Sequence, residues 1–272
     1  MRPGKFKTPS GDGTMINMSP HLLDYPILVF LFICLVLWLS EHVGAYWSRK
    51  RGNLSEDERA DLNIVLGASL TLLALIIGFT FSMATSRYDQ RKNYEEEEAN
   101  AIDTEYFRVT LLPASDAAKA RELLKTYVDQ RVVYYTTRDM RQLQQVNART
   151  AALQAELWAT IQRATVAQPT PVAALVAQGM NDVLNTQGYT QAAWLNRIPM
   201  AAWVLMVSIA VCCACLFGYT ARSSQRIRRF RVLPLIVSIS FFLVADIDSP
   251  RAGVIRVEPL NIENTAAAMH AP

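Results

Sequence analysis

Four apolar blocks interrupt this chain of 272 residues, and they constrain its fold more than any other feature. The first runs from Pro26 to about Trp47 and the second from Leu62 to about Ala84. The third runs from Ile198 to about Thr220 and the fourth from Val232 to about Ala245. A helix needs about 20 mostly apolar residues to cross roughly 30 Å of hydrocarbon. Blocks two and three meet this outright. Block one meets it once Ser40 to Trp47 is included, with Glu41 and His42 near water. Block four is short, and it spans by tilt or local thinning with Arg231 and Asp246 at the interfaces. The expectation is an all-α membrane protein with four transmembrane helices in two hairpins. The hairpins cover 26–84 and 198–245, a soluble four-helix domain covers 85–197, a polar segment covers 1–25 and a tail covers 246–272. Two rival readings stay open: an interfacial helix for block four, and a cleaved signal peptide for block one. Arg2, Lys5 and Lys7 would be the basic region of that peptide and Val43-Gly44-Ala45 its cleavage site. Met15 is an alternative start to Met1.

Average composition does not decide the class, since 51% hydrophobic residues is near the ordinary range for soluble domains. The formal charge of +3 is too small to argue for nucleic acid. Cys34, Cys212, Cys213 and Cys215 all sit inside apolar blocks, so neither a disulfide framework nor a metal site is expected in the soluble part. No cofactor is expected. The loops after blocks one and three carry Arg49, Lys50, Arg51 and Arg59, and Arg222, Arg226, Arg228, Arg229 and Arg231. The positive-inside rule makes that side cytoplasmic and puts the central domain in the periplasm of a bacterial inner membrane.

From Thr85 to Arg197 strong helix formers dominate. The first helix continues from block two and stops at Pro113. Ser115 is expected to cap the second helix, and the third runs from about Asp139 to Ala167 with Leu143, Val146, Leu153, Leu157 and Ile161 on one face. Thr170 and Pro171 open the fourth, which is expected to run on into block three. No nucleotide loop, zinc motif or nucleophile elbow occurs, and His21, His42 and His270 lie outside the expected bundle, so the chain is not read as an enzyme.

Three clusters are candidate sites. Glu95, Glu96, Glu97 and Glu98 form either a cation-attracting ring in an oligomer or a solvated turn paired with Arg91 and Lys92, and the solvated turn is preferred. Asp246, Asp248 and Arg251 follow block four and lie at the same membrane face as Arg87 and Arg91, which suggests a boundary network of Arg87 with Asp246 or Asp248. Gly78-Phe79-Thr80-Phe81-Ser82 suits a dewetting constriction or, preferably, close helix packing around Gly67 and Gly78.

Two stretches carry a family resemblance. They are LLALIIGFTFSMATSRYDQRKNYEEEEANAI with its Leu111-Leu112-Pro113 turn, and DIDSPRAGVIRV from Asp246 to Val257. They resemble the bestrophin-like domain of bacterial membrane proteins, over about Trp38 to Val257. That family is distantly similar to bestrophins through Gly78, Phe79, Ala84 and Arg87. The resemblance implies a pentameric ion channel, mostly for anions, embedded in a lipid bilayer. Its pore neck would be lined from block two by Ile76, Phe79, Phe81 and Met83. It also implies a cytoplasmic central domain, opposite to the charge rule. The calcium-binding acidic cluster of animal bestrophins has no counterpart, because Asp246 and Asp248 are too few. Against the channel stand a sensor whose bundle binds a ligand or partner, and a structural or proton-coupled subunit using Glu41 and His42.

Overall fold

The computed structural model describes residues 25–52, 55–221 and 232–271. These form eight α-helices: α1 (Pro26–Arg51), α2 (Glu56–Arg108), α3 (Ala114–Thr136), α4 (Met140–Ala167), α5 (Pro171–Leu195), α6 (Met200–Thr220), α7 (Val232–Asp248) and α8 (Leu260–His270). Three helical stretches are long and apolar enough to cross a membrane: Pro26–Arg51, Glu56–Leu111 and Pro171–Thr220. The described part of α7 has 17 residues and is not among them. The arginines 222–231, the segment 1–24 with Met15 and His21, and the basic residues of the signal-peptide reading lie outside the described residues.

Local chemistry explains most helix ends. Ser55 opens α2 with a capping box: its hydroxyl accepts from the Glu58 N–H, and the Glu58 carboxylate accepts from the Ser55 N–H. The helix then runs for 53 residues, roughly 80 Å at 1.5 Å per residue, from the apolar block deep into the bundle. Asp139 caps α4 through the Arg141 N–H, and Thr170 caps α5 through the Ala173 N–H with Pro171 in the first turn. The cap expected at Ser115 does not form. Pro113 occupies the N-cap instead, so α3 starts at Ala114 and Ser115 falls inside the first turn.

A second correction concerns α5. It does not run on into block three but ends at Leu195, and α6 begins at Met200. Pro199 lacks an N–H and disfavours helical geometry at Ile198, so the chain breaks there.

At membrane level, α1 packs against α6 and α7, and α2 packs against the same two helices. Among the described residues, neither consecutive pair, α1 with α2 or α6 with α7, forms a substantial contact. The hairpins expected from chain order are therefore diagonals of the four-helix arrangement. Val29, Ile33 and Leu37 of α1, Leu73 and Ala84 of α2, Trp203, Met206 and Ala210 of α6, and Phe241 and Val244 of α7 make its core. Close approach occurs between α1 and α6, where a Cβ on Gly44 would lie 2.0 Å from the Cys215 carbonyl oxygen and one on Gly218 2.0 Å from that of Glu41. It does not occur at Gly67 or Gly78, around which the space is open.

Beyond the membrane layer, α2 continues into a bundle with α3, α4 and α5 around Leu124, Tyr127, Leu157, Ile161, Val176 and Met180. The expected apolar face of α4 is buried throughout. A fifth helix joins them. Residues 260–270, read from the sequence as tail, fold as α8 between α2 and α3 and bury Ile262, Ala266 and Met269. His270 consequently reaches the bundle and meets Asp129 at 3.1 Å.

Gly44→Val should force backbone atoms of α1 and α6 apart and cost about 2 kcal/mol or more. The expected outcome is a clear fall in the unfolding temperature of detergent-purified protein, with Gly67→Val nearly neutral in the same measurement.

Candidate functional site

The buried face of α2 carries charge. Leu66, Leu73, Thr80 and Ala84 give way to Arg91, Glu95, Glu98, Ile102 and Glu105, one helical stripe in steps of three and four residues. A buried charge is costly unless paired and hydrogen-bonded, so each of these side chains raises the question of its partner.

Glu98 is fully enclosed. Arg131 of α3 grips its carboxylate through Nε and Nη2, while the Tyr135 hydroxyl and the Thr190 hydroxyl each donate to it at 2.9 Å. Burial alone would lower the Arg131 pKa, but the adjacent Glu98 carboxylate outweighs it and holds the guanidinium above its ordinary value. The Arg131 guanidinium also lies over the Tyr134 ring at 4.1 Å. Glu95 accepts the Ile262 N–H at 2.9 Å and the Asn261 side-chain amide at 2.7 Å, and so anchors the start of α8. Glu95 and Glu98 are thus not part of a solvated turn. Only Glu96 and Glu97 face outward, and Arg91 is itself buried elsewhere. The reason lies in spacing: four consecutive acids cover all sides of a helix, and the steps of three and four select two of them for the core.

Arg91 sits where three helix ends converge. It donates to the Ala193 carbonyl near the end of α5 at 3.4 Å. It also donates to the Ile247 and Asp248 carbonyls at the end of α7, at 3.1 and 3.3 Å. The Asp248 carboxylate lies 4.0 Å away and accepts the Ile198 N–H at 3.2 Å, bracing the break between α5 and α6. Arg251 donates to the Tyr134 and Thr137 carbonyls at the end of α3 and stacks over the Trp194 ring at 4.4 Å. Asp246 accepts the Val254 and Ile255 N–H groups at 2.8 Å each and closes the turn after α7. Gly253 is required there, since a Cβ would stand 2.3 Å from the Asp246 carbonyl oxygen. The pairing expected at this boundary, Arg87 with Asp246 or Asp248, does not form. Arg87 is hydrogen-bonded to Asn196 at 2.6 Å rather than to either aspartate.

An exposed face of α2, about 120° around the helix from this buried one, has no partner among the described residues. Leu72, Leu75, Phe79 and Met83 are exposed there, followed by Ser86, Gln90, Asn93 and Glu97. These positions form one stripe, apolar within the membrane block and polar beyond it. Phe79 is 65% exposed. Ile76 borders this stripe and is half-buried against the membrane core. Phe81 lies off this stripe and borders both the groove along α2 that contains Ser86 and Gln90 and a groove shared with Leu233, Ile236, Val237, Ser240 and Leu243 of α7.

Glu41 and His42 point to different sides. Glu41 is buried towards Gly218, whereas His42 is exposed and stacks on Trp38. The four cysteines are free, and no group of metal-ligating side chains occurs among the described residues.

Arg131 and Glu105 were missed by sequence reading, and Arg91 was read as a partner of the acidic run, although the steps of three and four running along α2 were the available signal for Arg91 and Glu105. Glu105 lies 21 residues past Ala84, far from the apolar block, and is fully buried with neither carboxylate oxygen hydrogen-bonded. It packs against Gly179 of α5 beside Arg108, which pairs with Asp182 at 3.9 Å. Burial pushes its pKa up to about 8, only partly offset by Arg108. Between pH 4.5 and about 8 the unfolded carboxyl has lost its proton while the folded one keeps it, so stability falls as pH rises through that window and levels off above it. Glu105→Gln should flatten this slope and stabilise the protein at pH 8 by on the order of a few kcal/mol, read from unfolding temperatures at pH 5 and pH 8. Arg91→Met, which removes the donor to the buried Ala193, Ile247 and Asp248 carbonyls and one of the cations acting on the Asp248 carboxylate, should destabilise by about 3–5 kcal/mol. The same thermal measurement checks it.

The model of the Bestrophin-like domain family matches residues 28–262. Among solved structures, a point mutant of a bacterial bestrophin homolog from Klebsiella pneumoniae is similar at a TM-score of 0.60 and 15% identity, over 91% of this chain and 99% of the other. The same homolog solved by Zn-SAD phasing gives a TM-score of 0.59 and 16% identity over 89% and 97%. At these identities the likeness establishes the fold. A comparison with curated proteins found no match.

Proposed function

Because the chain belongs to the Bestrophin-like domain family, we propose that it is an ion channel assembled from several copies, with α2 of each copy lining a shared axis. The observation that carries this reading is the unpartnered face of α2. Its apolar half lies within the membrane block and its polar half beyond it, in one unbroken line along the helix. A central axis satisfies both: Leu75, Phe79 and Met83, bordered by Ile76, form an apolar neck, and Ser86, Gln90 and Asn93 wet the pathway beyond it. Apolar necks gate by dewetting. Five copies, four membrane helices in each copy with α7 as the fourth, and a bacterial inner membrane are the assembly that the resemblance to bestrophins implies. That resemblance also favours a cytoplasmic bundle over the periplasmic one of the charge rule. Taken alone it names anions as cargo.

Phe81, which the resemblance also names, is given a packing role in the groove with α7 rather than a place in the neck. In single-channel recordings from purified protein in lipid bilayers, Phe79→Ala should raise conductance or open probability several-fold, while Phe81→Ala should not. A strictly monomeric protein in both detergent and lipid would overturn the reading and leave a sensor or a structural subunit.

A further inference from the structure

We infer that Glu97 sets the ion preference of this pathway and that the pathway favours cations over anions. The inference rests on the proposed pore and deepens it.

Within the acidic run the fold assigns four different surroundings. Glu95 holds the start of α8 and Glu98 holds Arg131. Glu96 stands about 100° around the helix from Glu97. Glu97 alone continues the exposed stripe that begins at Phe79, with Met83, Ser86, Gln90 and Asn93 between them. It is the one charged side chain on that stripe between Leu72 and Glu97. It is exposed and forms no ion pair among the described residues.

The surface beside the stripe has the same sign. Glu97 and Asp89 are the charged members of the groove along α2, and the others include Ser82, Thr85 and Gln90, which are neutral hydrogen-bonding groups. The basic residues of this part of α2 are turned away or engaged. Arg87 is bonded to Asn196, and Arg91 is buried against the ends of α5 and α7. Lys92 stands roughly 140° around the helix from Glu97.

Rotational symmetry converts one carboxylate per chain into a ring of carboxylates around the axis. Such a ring raises the local concentration of cations and lowers that of anions, and the effect is strong where low-dielectric walls focus the field. Rings of acidic side chains select cations in pores. A pathway whose fixed charges are Glu97 and the neighbouring Asp89 therefore opposes anion entry, whatever its relatives carry.

The test is bi-ionic recording from purified protein in planar bilayers under a tenfold KCl gradient. Wild type should favour potassium over chloride by about tenfold or more. Glu97→Gln should reduce that ratio at least threefold, and Glu97→Lys should invert it. Glu96→Gln, equally acidic in sequence but outside the groove that Glu97 and Asp89 line, should shift it less than Glu97→Gln. Both sites are exposed, and unfolding temperatures confirm that the variants fold. Asp89→Asn should give a smaller shift in the same direction as Glu97→Gln. Currents that favour chloride in wild type, or a ratio indifferent to Glu97→Gln and Glu97→Lys, overturn the assignment and leave the channel intact. Absence of any current from wild-type oligomers overturns the channel itself.

Discussion

Three helix C-termini meet where the membrane layer joins the bundle, and two arginines hold them. The last carbonyls of a helix have no intrahelical partner and carry partial negative charge. Arg91 satisfies carbonyls at the ends of α5 and α7, and Arg251 satisfies those at the end of α3. Asp248 then neutralises Arg91 while fixing the Ile198 amide just before α6. Without this junction the break at Asn196–Pro199 would be a loose linker, and α6 would have no defined direction relative to α5. With it, the chain turns from bundle to membrane at a fixed angle despite the proline.

Among the described residues, α2 is the single uninterrupted link between the two layers. Its buried stripe changes character along its length, from Leu66 and Leu73 in the membrane core to Glu98 and Glu105 in the bundle. The stripe keeps its period while the chemistry of its partners changes. Each buried charge is answered differently: Arg91 by carbonyls, Glu95 by amides, Glu98 by a guanidinium and two hydroxyls, and Glu105 by its own proton. Burying ion pairs is a poor route to raw stability but a strong constraint on register. Sliding α2 by one turn would leave Glu98 and Arg131 unpaired at a cost of several kcal/mol.

That rigidity matters for the other face of the helix. The exposed stripe from Leu72 to Glu97 is straight because the buried one is fixed, so the apolar neck and the carboxylate beyond it share one line. Docking of α8 reinforces this, since Glu95 lies two residues from Glu97 and is clamped by Asn261 and Ile262. The bundle is thereby coupled to the membrane face through one helix, with Glu105 at the far end as its proton-dependent element.

The sequence by itself determined the helical class, the positions of the apolar blocks and most helix boundaries, because hydropathy, proline and capping chemistry are local. It also placed Asp246, Asp248 and Arg251 at one boundary of the apolar block, where acids and a basic residue need partners. Which partners they find was decided by tertiary structure. Arg91 displaced Arg87 because four residues further along α2 the side chain points inward to the converging helix ends. The acidic run could not be divided from composition, as its division into core, anchor and exposed residues depends on which helices lie against α2. The diagonal placement of α1 and α2, the break before α6 and the docking of α8 were likewise beyond local reading. They follow from distant contacts such as Gly44 with Cys215 and Glu95 with Ile262.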